Sequence, residues 1–158
     1  MKNDIKIAFT NYKEITRMNK SKTVTNVTKF LNNLLPRLIR VNGYGNLSGL
    51  IKKNKADGRK LSANQFKSLS LEKRREYVLN SFIQVINDLN GNDSNLIVKW
   101  VLWDTDKPIP FTRKTLSNLY EWMGYDNQSK FTKDRNDAFY LFATELSRYS
   151  IDLRISAD

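Results

Sequence analysis

Residues 122–149 read WMGYDNQSKFTKDRNDAFYLFATELSRY. A glycine follows an apolar pair, a polar run comes next, and then a long pattern with helical spacing. Phe131, Ala138, Phe142, Leu146 and Tyr149 fall on one stripe, which predicts a helix from near Gln128 to about Arg148. The preceding stretch, TRKTLSNLYEWMG, predicts another helix over 112–123. Thr112 serves as its cap. Thr115, Leu116, Leu119, Tyr120 and Met123 line one face, and Gly124 stands at the C′ position. Helix, glycine-bearing turn, helix is the order of a helix-turn-helix unit.

In such a unit the second helix lies in the major groove of DNA, and its N-terminal residues meet the base edges. The inward stripe leaves Gln128, Ser129, Lys130, Thr132, Lys133, Asn136 and Asp137 facing outward or at the helix start. Gln and Asn pair bidentately with adenine, Lys reaches guanine, and Ser or Thr reaches base edges or phosphate. Gln128, Ser129, Lys130, Thr132, Lys133 and Asn136 are therefore the candidate base readers. Arg113 and Lys114, ahead of them, are placed to grip flanking phosphates. The bland alternative is an ordinary solvent-facing helix, and Asp126, Asp134 and Asp137 are unfavourable beside phosphate.

Upstream, SLEKRREYVLNSFIQVINDLNG predicts a helix from Ser70, with Leu71, Val78, Phe82, Val85 and Leu89 at helical spacing and Asn90-Gly91 as its stop. Asp93 or Ser94 can cap the next element, NLIVKWVLWD. Leu96, Ile97, Trp100, Val101 and Trp103 make it apolar on most sides and hence central. Its β-branched content also permits a strand, which its helical neighbours argue against. Pro108 and Pro110 make TDKPIPF a turn.

Further upstream the pattern weakens. Val24, Val27, Leu31, Leu34, Leu38 and Val41 share a helical stripe over 23–42, which Pro36 should kink or split. Residues 43–68 are rich in glycine, lysine and arginine and are expected as a long basic loop or linker. Within it Lys52, Lys53, Lys55, Arg59 and Lys60 are candidate phosphate contacts, and Tyr44 and Phe66 can stack on bases. Residues 1–22 are expected as a flexible basic arm, 69–150 as the helix-turn-helix domain, and 151–158 as an extended or frayed tail.

Charge divides the chain. The net charge is +11, and residues 1–75 carry +14 against −3 for 76–158. A polyanion, with nucleic acid foremost, is the partner such a half attracts; solvated basic loops are the plainer reading. With no cysteine and no histidine, disulfides, thiolate nucleophiles, Cys/His zinc sites and imidazole acid–base chemistry are excluded together. No nucleophile–base pair or paired-carboxylate constellation stands out, so neither an enzyme nor a metal or other cofactor is expected. The N-terminal stretch has no signal-peptide core, and no run approaches a membrane span; the absence of cysteine fits a reducing cytoplasm, the expected location.

From Glu72 onward the layout resembles the phage late-gene transcriptional regulators of the ArpU/RinA type. The matching stretches are REYVLNSFIQVINDL with the following LIVKWVL, then LSNLYEWMGY, then SKFTKDRNDAFYLFATEL. Met123-Gly124 stands where the family has an "LG"-like pair, and Phe131, Ala138, Phe142 and Ala143 take the later apolar positions. The upstream VTKFLNNLLPRLIRVNG is similar to the family's amino-terminal helix. This chain departs in a turn one residue longer and at Asp134, where the family tends to be basic or apolar.

The resemblance implies a domain like the promoter-binding helix-turn-helix region of a bacterial sigma factor, acting in the cytoplasm of a bacterial host cell. The expectation is thus an all-α helical bundle with a C-terminal helix-turn-helix that binds double-stranded promoter DNA and activates phage or prophage late genes. RNA polymerase and a second copy of the chain are further partners this reading admits. Two alternatives stand beside it: a non-catalytic module that binds a host protein such as RNA polymerase through Trp100, Trp103, Trp122 and tyrosines, and a packaging or replication DNA-binding protein.

Overall fold

The computed structural model describes residues 5–54 and 57–158. The chain is all-α. Its elements are α1 (Lys20–Lys29), a π turn (Phe30–Leu34), α2 (Leu35–Val41), α3 (Leu47–Lys53), α4 (Ala63–Lys67), α5 (Leu71–Asp88), α6 (Gly91–Thr105), α7 (Leu116–Trp122) and α8 (Gln128–Ser147). No helix among the described residues is long and apolar enough to cross a membrane.

The last helix is the hub, packing against α1, α5, α6 and α7. Its predicted stripe points inward as expected: Phe131, Ala138, Phe142, Leu146 and Tyr149 are all buried, joined by Phe139 and Ala143. Rings interlock around it. Phe142 lies 6.0 Å from Phe30 and 5.9 Å from Phe82, and Phe139 meets the Trp100 indole edge-on at 5.2 Å. Such tilted and edge-to-face pairs add to plain apolar burial. Trp100 and Trp103 are core residues, and Trp122 packs edge-on to Trp103 at 5.5 Å. Trp100 and Trp103 are therefore not available as surface anchors, while Trp122 is half-buried.

Pro36 acts at a distance of one turn. It has no N–H to donate, and its ring crowds the carbonyl four residues earlier. The chain answers with the π turn just before it, where the Leu35 amide donates to the Phe30 carbonyl, five residues back. The extra residue rotates α2 relative to α1. Leu35, Leu38 and Ile39 therefore face the core, while Leu34 is only half-buried and Val41 is exposed.

The helix over 71–88 is bounded as its punctuation predicts, with Ser70 capping the Lys73 amide. Leu71 departs from the predicted stripe: it sits in the first turn, ahead of the packed region, and is 60% exposed. Asn90-Gly91 does more than stop this helix. The Asn90 side chain accepts from the Asp93 amide and caps α6, which begins at Gly91 rather than after Asp93 or Ser94. That element is a helix, not a strand, and Leu96, Ile97, Trp100, Val101 and Trp103 are buried as expected.

Two segments correct the expectation of loose basic chain. Residues 43–68 contain α3 and α4, anchored by buried Leu47, Leu50, Ala63 and Phe66. Ser62 and Gln65 form a capping box that starts α4. Glu76 of α5 accepts from the Tyr44 hydroxyl, from Asn42 at 3.1 Å and from Asn54 at 3.0 Å, tying this region down.

The expected flexible arm is likewise held over its described part, residues 1–4 lying outside the described residues. Residues 5–19 run extended over the core, with Ile5, Ile7 and Phe9 packed on it and Phe9 stacked on Phe66 at 4.7 Å. The arm pairs with the tail through the antiparallel bridges Ala8–Asp152 and Met18–Ser156. Buried Asn26 of α1 joins both, accepting from the Lys6 amide at 2.8 Å and donating to the Leu153 carbonyl at 2.8 Å. Ile151 and Leu153 are fully buried, so the tail is extended and not frayed.

Candidate functional site

The corner before α8 is built by its sequence. The helix ahead of it starts at Leu116, capped by Thr115 and not by Thr112. It ends in a Schellman arrangement: the Gly124 amide donates to Glu121 O at 3.0 Å and the Tyr125 amide to Tyr120 O at 2.8 Å. Gly124 has φ +88°, the left-handed conformation this closure requires. Asn127 then caps α8 by accepting from the Lys130 amide at 3.1 Å. Phe131 locks the corner from beneath. Fully buried, it lies 6.4 Å from Trp100, 6.1 Å from Tyr120 and 5.2 Å from Tyr125.

The front of α8 is uncovered. Gln128, Ser129, Lys130 and Lys133 are exposed, and Thr132 and Asn136 are half-buried. Beside this front lies an open groove of about 920 Å³ whose opposite wall is α1, with Lys20, Ser21, Val24 and Thr25. Gln128, Ser129, Thr132, Lys133, Arg135, Asn136 and Asp137 line the α8 side, so five of the six candidate base readers share one surface. Lys130 turns to the other flank, toward Lys99, Met123 and Tyr125.

Two of the acidic residues in this region, Asp134 and Asp137, are held by lysines. Asp137 takes Lys20 of α1 and Lys133, each at 3.1 Å. These two ammonium groups hold its carboxyl below the ordinary aspartate value. Asp134 takes Lys130 at 3.3 Å and the Tyr125 hydroxyl at 2.8 Å.

The Tyr125–Asp134 bond gives the corner a defined alkaline limit. Burial first, and then the Asp134 carboxylate, push the Tyr125 hydroxyl up to about 12. The folded state therefore holds that proton more tightly than the unfolded chain, where a tyrosine titrates near about 10. Its contribution is complete below about pH 10 and is lost as pH rises toward about 12. Tyr125→Phe should cost about 1 kcal/mol at neutral pH. The gap from wild type should shrink above about pH 10, as read from urea unfolding across the pH range.

The predicted phosphate contacts scatter. Arg113 is exposed, in the loop before α7. Lys114 is half-buried and engaged: its Nζ bonds Asp104 at 2.5 Å and Asn32 at 3.2 Å and lies over the Trp100 ring. It braces the α6–α7 loop and is not a free arm. Lys52 and Lys53 are exposed in the last turn of α3, and Arg59 and Lys60 in the loop after it. Lys60 rests on the Tyr149 ring at 5.3 Å, beyond the C-terminal end of α8. A 20-residue helix is about 30 Å long, so that loop stands at the far end from Gln128. Lys55 lies outside the described residues. Of the aromatics, Phe66 is buried and Tyr44 is bonded to Glu76, so neither is free to stack on a base.

Two cations beside the front were not singled out from sequence, Lys20 and Arg135. The first is 117 positions from its partner Asp137, a separation no local pattern reveals. The second sits one turn after Phe131, on the edge of the inward stripe, where periodicity alone gives it no role.

Comparison with known protein families, with curated proteins and with solved structures finds no match.

Proposed function

We propose that the chain is a sequence-specific, double-stranded DNA-binding transcription regulator that reads base edges with the front of α8. The single observation that carries this reading is the uncovered polar front itself. Gln128, Ser129, Lys130 and Lys133 stand exposed on a helix whose rear half is locked into the core. A helix about 10–12 Å across matches a major groove about 12 Å wide. Helix α7, the Gly124 corner and α8 supply the helix-turn-helix order. The net charge of +11 supplies the general attraction to phosphate. The resemblance to the ArpU/RinA-type regulators adds the role: activation of phage or prophage late genes, in a bacterial host cell, with RNA polymerase nearby and a homodimer as one arrangement on the promoter. No catalytic step or cofactor enters this reading.

The test compares Gln128→Ala, Lys133→Ala and Asn136→Ala on a duplex the protein selects and on a random duplex. Each lost base contact should cost about 1–3 kcal/mol on the selected duplex and little on the random one. Equal losses on both, or none on either, would remove these side chains from base reading.

A second reading, a module that docks on a host protein such as RNA polymerase, is favoured by the loop between α6 and α7. Phe111 at its apex is fully exposed with φ +62°, and Ile109 beside it is 36% exposed. Retention on a DNA column separates the two, because release at very low salt favours the protein partner. A packaging or replication protein would use the same α8 surface on a different DNA target.

A further inference from the structure

We infer that Arg135 holds one backbone phosphodiester of the bound duplex, in the groove between α1 and α8. The inference rests on the DNA-reading proposal and names a contact that proposal lacks. Four cations around the front of α8 have carboxylate partners. Lys130 has Asp134, Lys20 and Lys133 share Asp137, and Lys114 has Asp104. Arg135 has no carboxylate partner among the described residues. Its Nε and Nη2 donate only to the Asn136 side-chain oxygen, at 3.2 and 2.9 Å. A guanidinium carries five N–H donors, so most of the fork remains unused.

The side chain is also pre-positioned. Its guanidinium carbon lies 5.8 Å from the centre of the Trp100 ring, whose face holds the cation. Being half-buried, it has lost part of its water, and an anion there would replace that hydration. A phosphate offers paired oxygens that a planar fork takes bidentately. Placement fits as well. When a helix front enters a major groove, phosphate rows flank it on both sides. Arg135 is on the α1 flank, beside the hydroxyls of Ser129 and Thr132, while Lys130 is on the other. Lys20, Lys133 and Arg135 outweigh Asp137 in the groove, leaving it cationic. The groove opens to solvent and is not an enclosed cavity.

The experiment measures binding of the full chain to a selected and a random duplex over a salt series, for wild type, Arg135→Gln and Arg135→Lys. Thermal melts confirm folding, and Arg135→Lys keeps the charge while losing the fork. Arg135→Gln should weaken both duplexes alike, by about tenfold, and lower the log–log salt slope by about one. Arg135→Lys should restore the slope but only part of the affinity. If wild type binds with a steep salt slope and Arg135→Gln leaves slope and affinity unchanged, the Arg135 contact is overturned while DNA reading stands. If wild type shows no salt-dependent duplex binding, both fall together.

Discussion

Replacing Phe131 with alanine should destabilise the chain by about 3–5 kcal/mol, the range for emptying a fully buried phenylalanine site. The expected value lies at the upper end because the surrounding rings cannot collapse easily. Trp100 on α6, Tyr120 on α7 and Tyr125 in the corner all pack on this side chain. Two of them are fixed by further contacts: the Trp100 indole N–H donates to Asn32 at 2.7 Å, and the Tyr125 hydroxyl to Asp134 at 2.8 Å. Urea unfolding should show a lower midpoint with an unchanged slope, and Tm should fall by roughly 10 °C or more. Phe131→Leu keeps most of the volume and should lose less than half as much. Because Phe131 is the residue on which the front of α8 rests, the alanine variant should also lose discrimination between duplexes before it loses its fold.

Replacing Asp152 with alanine should cost a comparable amount, about 3–5 kcal/mol, for an electrostatic reason. The Arg154 side chain is only 2% exposed, and its Nε and Nη2 donate to Asp152 at 2.8 and 3.0 Å. Removing the carboxylate strands a guanidinium in the protein. Its remaining partners, the Lys13 carbonyl at 2.8 Å and the Tyr12 ring at 5.1 Å, do not neutralise it. The damage should spread along the paired chain ends. Amide exchange at Ala8 and Asp152, which bond each other's carbonyls at 3.0 and 2.8 Å, should accelerate most. A double replacement, Asp152→Leu with Arg154→Met, removes both charges and should recover most of the loss. Wild-type stability of the single variant would mean that Arg154 escapes to solvent and that the tail is not anchored by this pair.

How much could be read in advance depended on the range of the interactions. The inward face of α8, the left-handed Gly124 and the central place of α6 follow from periodicity and local capping, which act within a few residues. The capping box of Ser62 and Gln65 was equally local, and its signal was masked by the glycines and lysines around it. The order of the chain ends was not legible. Nothing near Ile5 or Ile151 says that the two segments will pair, since the bridge between Ala8 and Asp152 spans nearly the whole chain. The shift of face caused by Pro36 was half legible: a break was expected, but not that an added residue would turn Val41 outward.

The same division holds for the candidate site. Gln128, Ser129, Lys130 and Lys133 are exposed as the stripe implied. The phosphate contacts expected from charge density were mostly elsewhere, because density along a sequence does not say which end of a 20-residue helix a loop will reach. Lys20 and Arg135 came to the groove through the packing of α1 on α8, which only the folded chain reveals.

Base reading by α8 is tested by enrichment of duplexes from a fully random pool by the intact chain, followed by its affinity for the winner and for a scrambled control at one fixed salt concentration. A single enriched motif is expected, bound about a thousandfold or more tighter than the control, with that preference abolished when Gln128, Lys133 and Asn136 are changed to alanine together. A pool that stays random through successive rounds, or a preference that survives the triple replacement, would contradict reading by the front of α8.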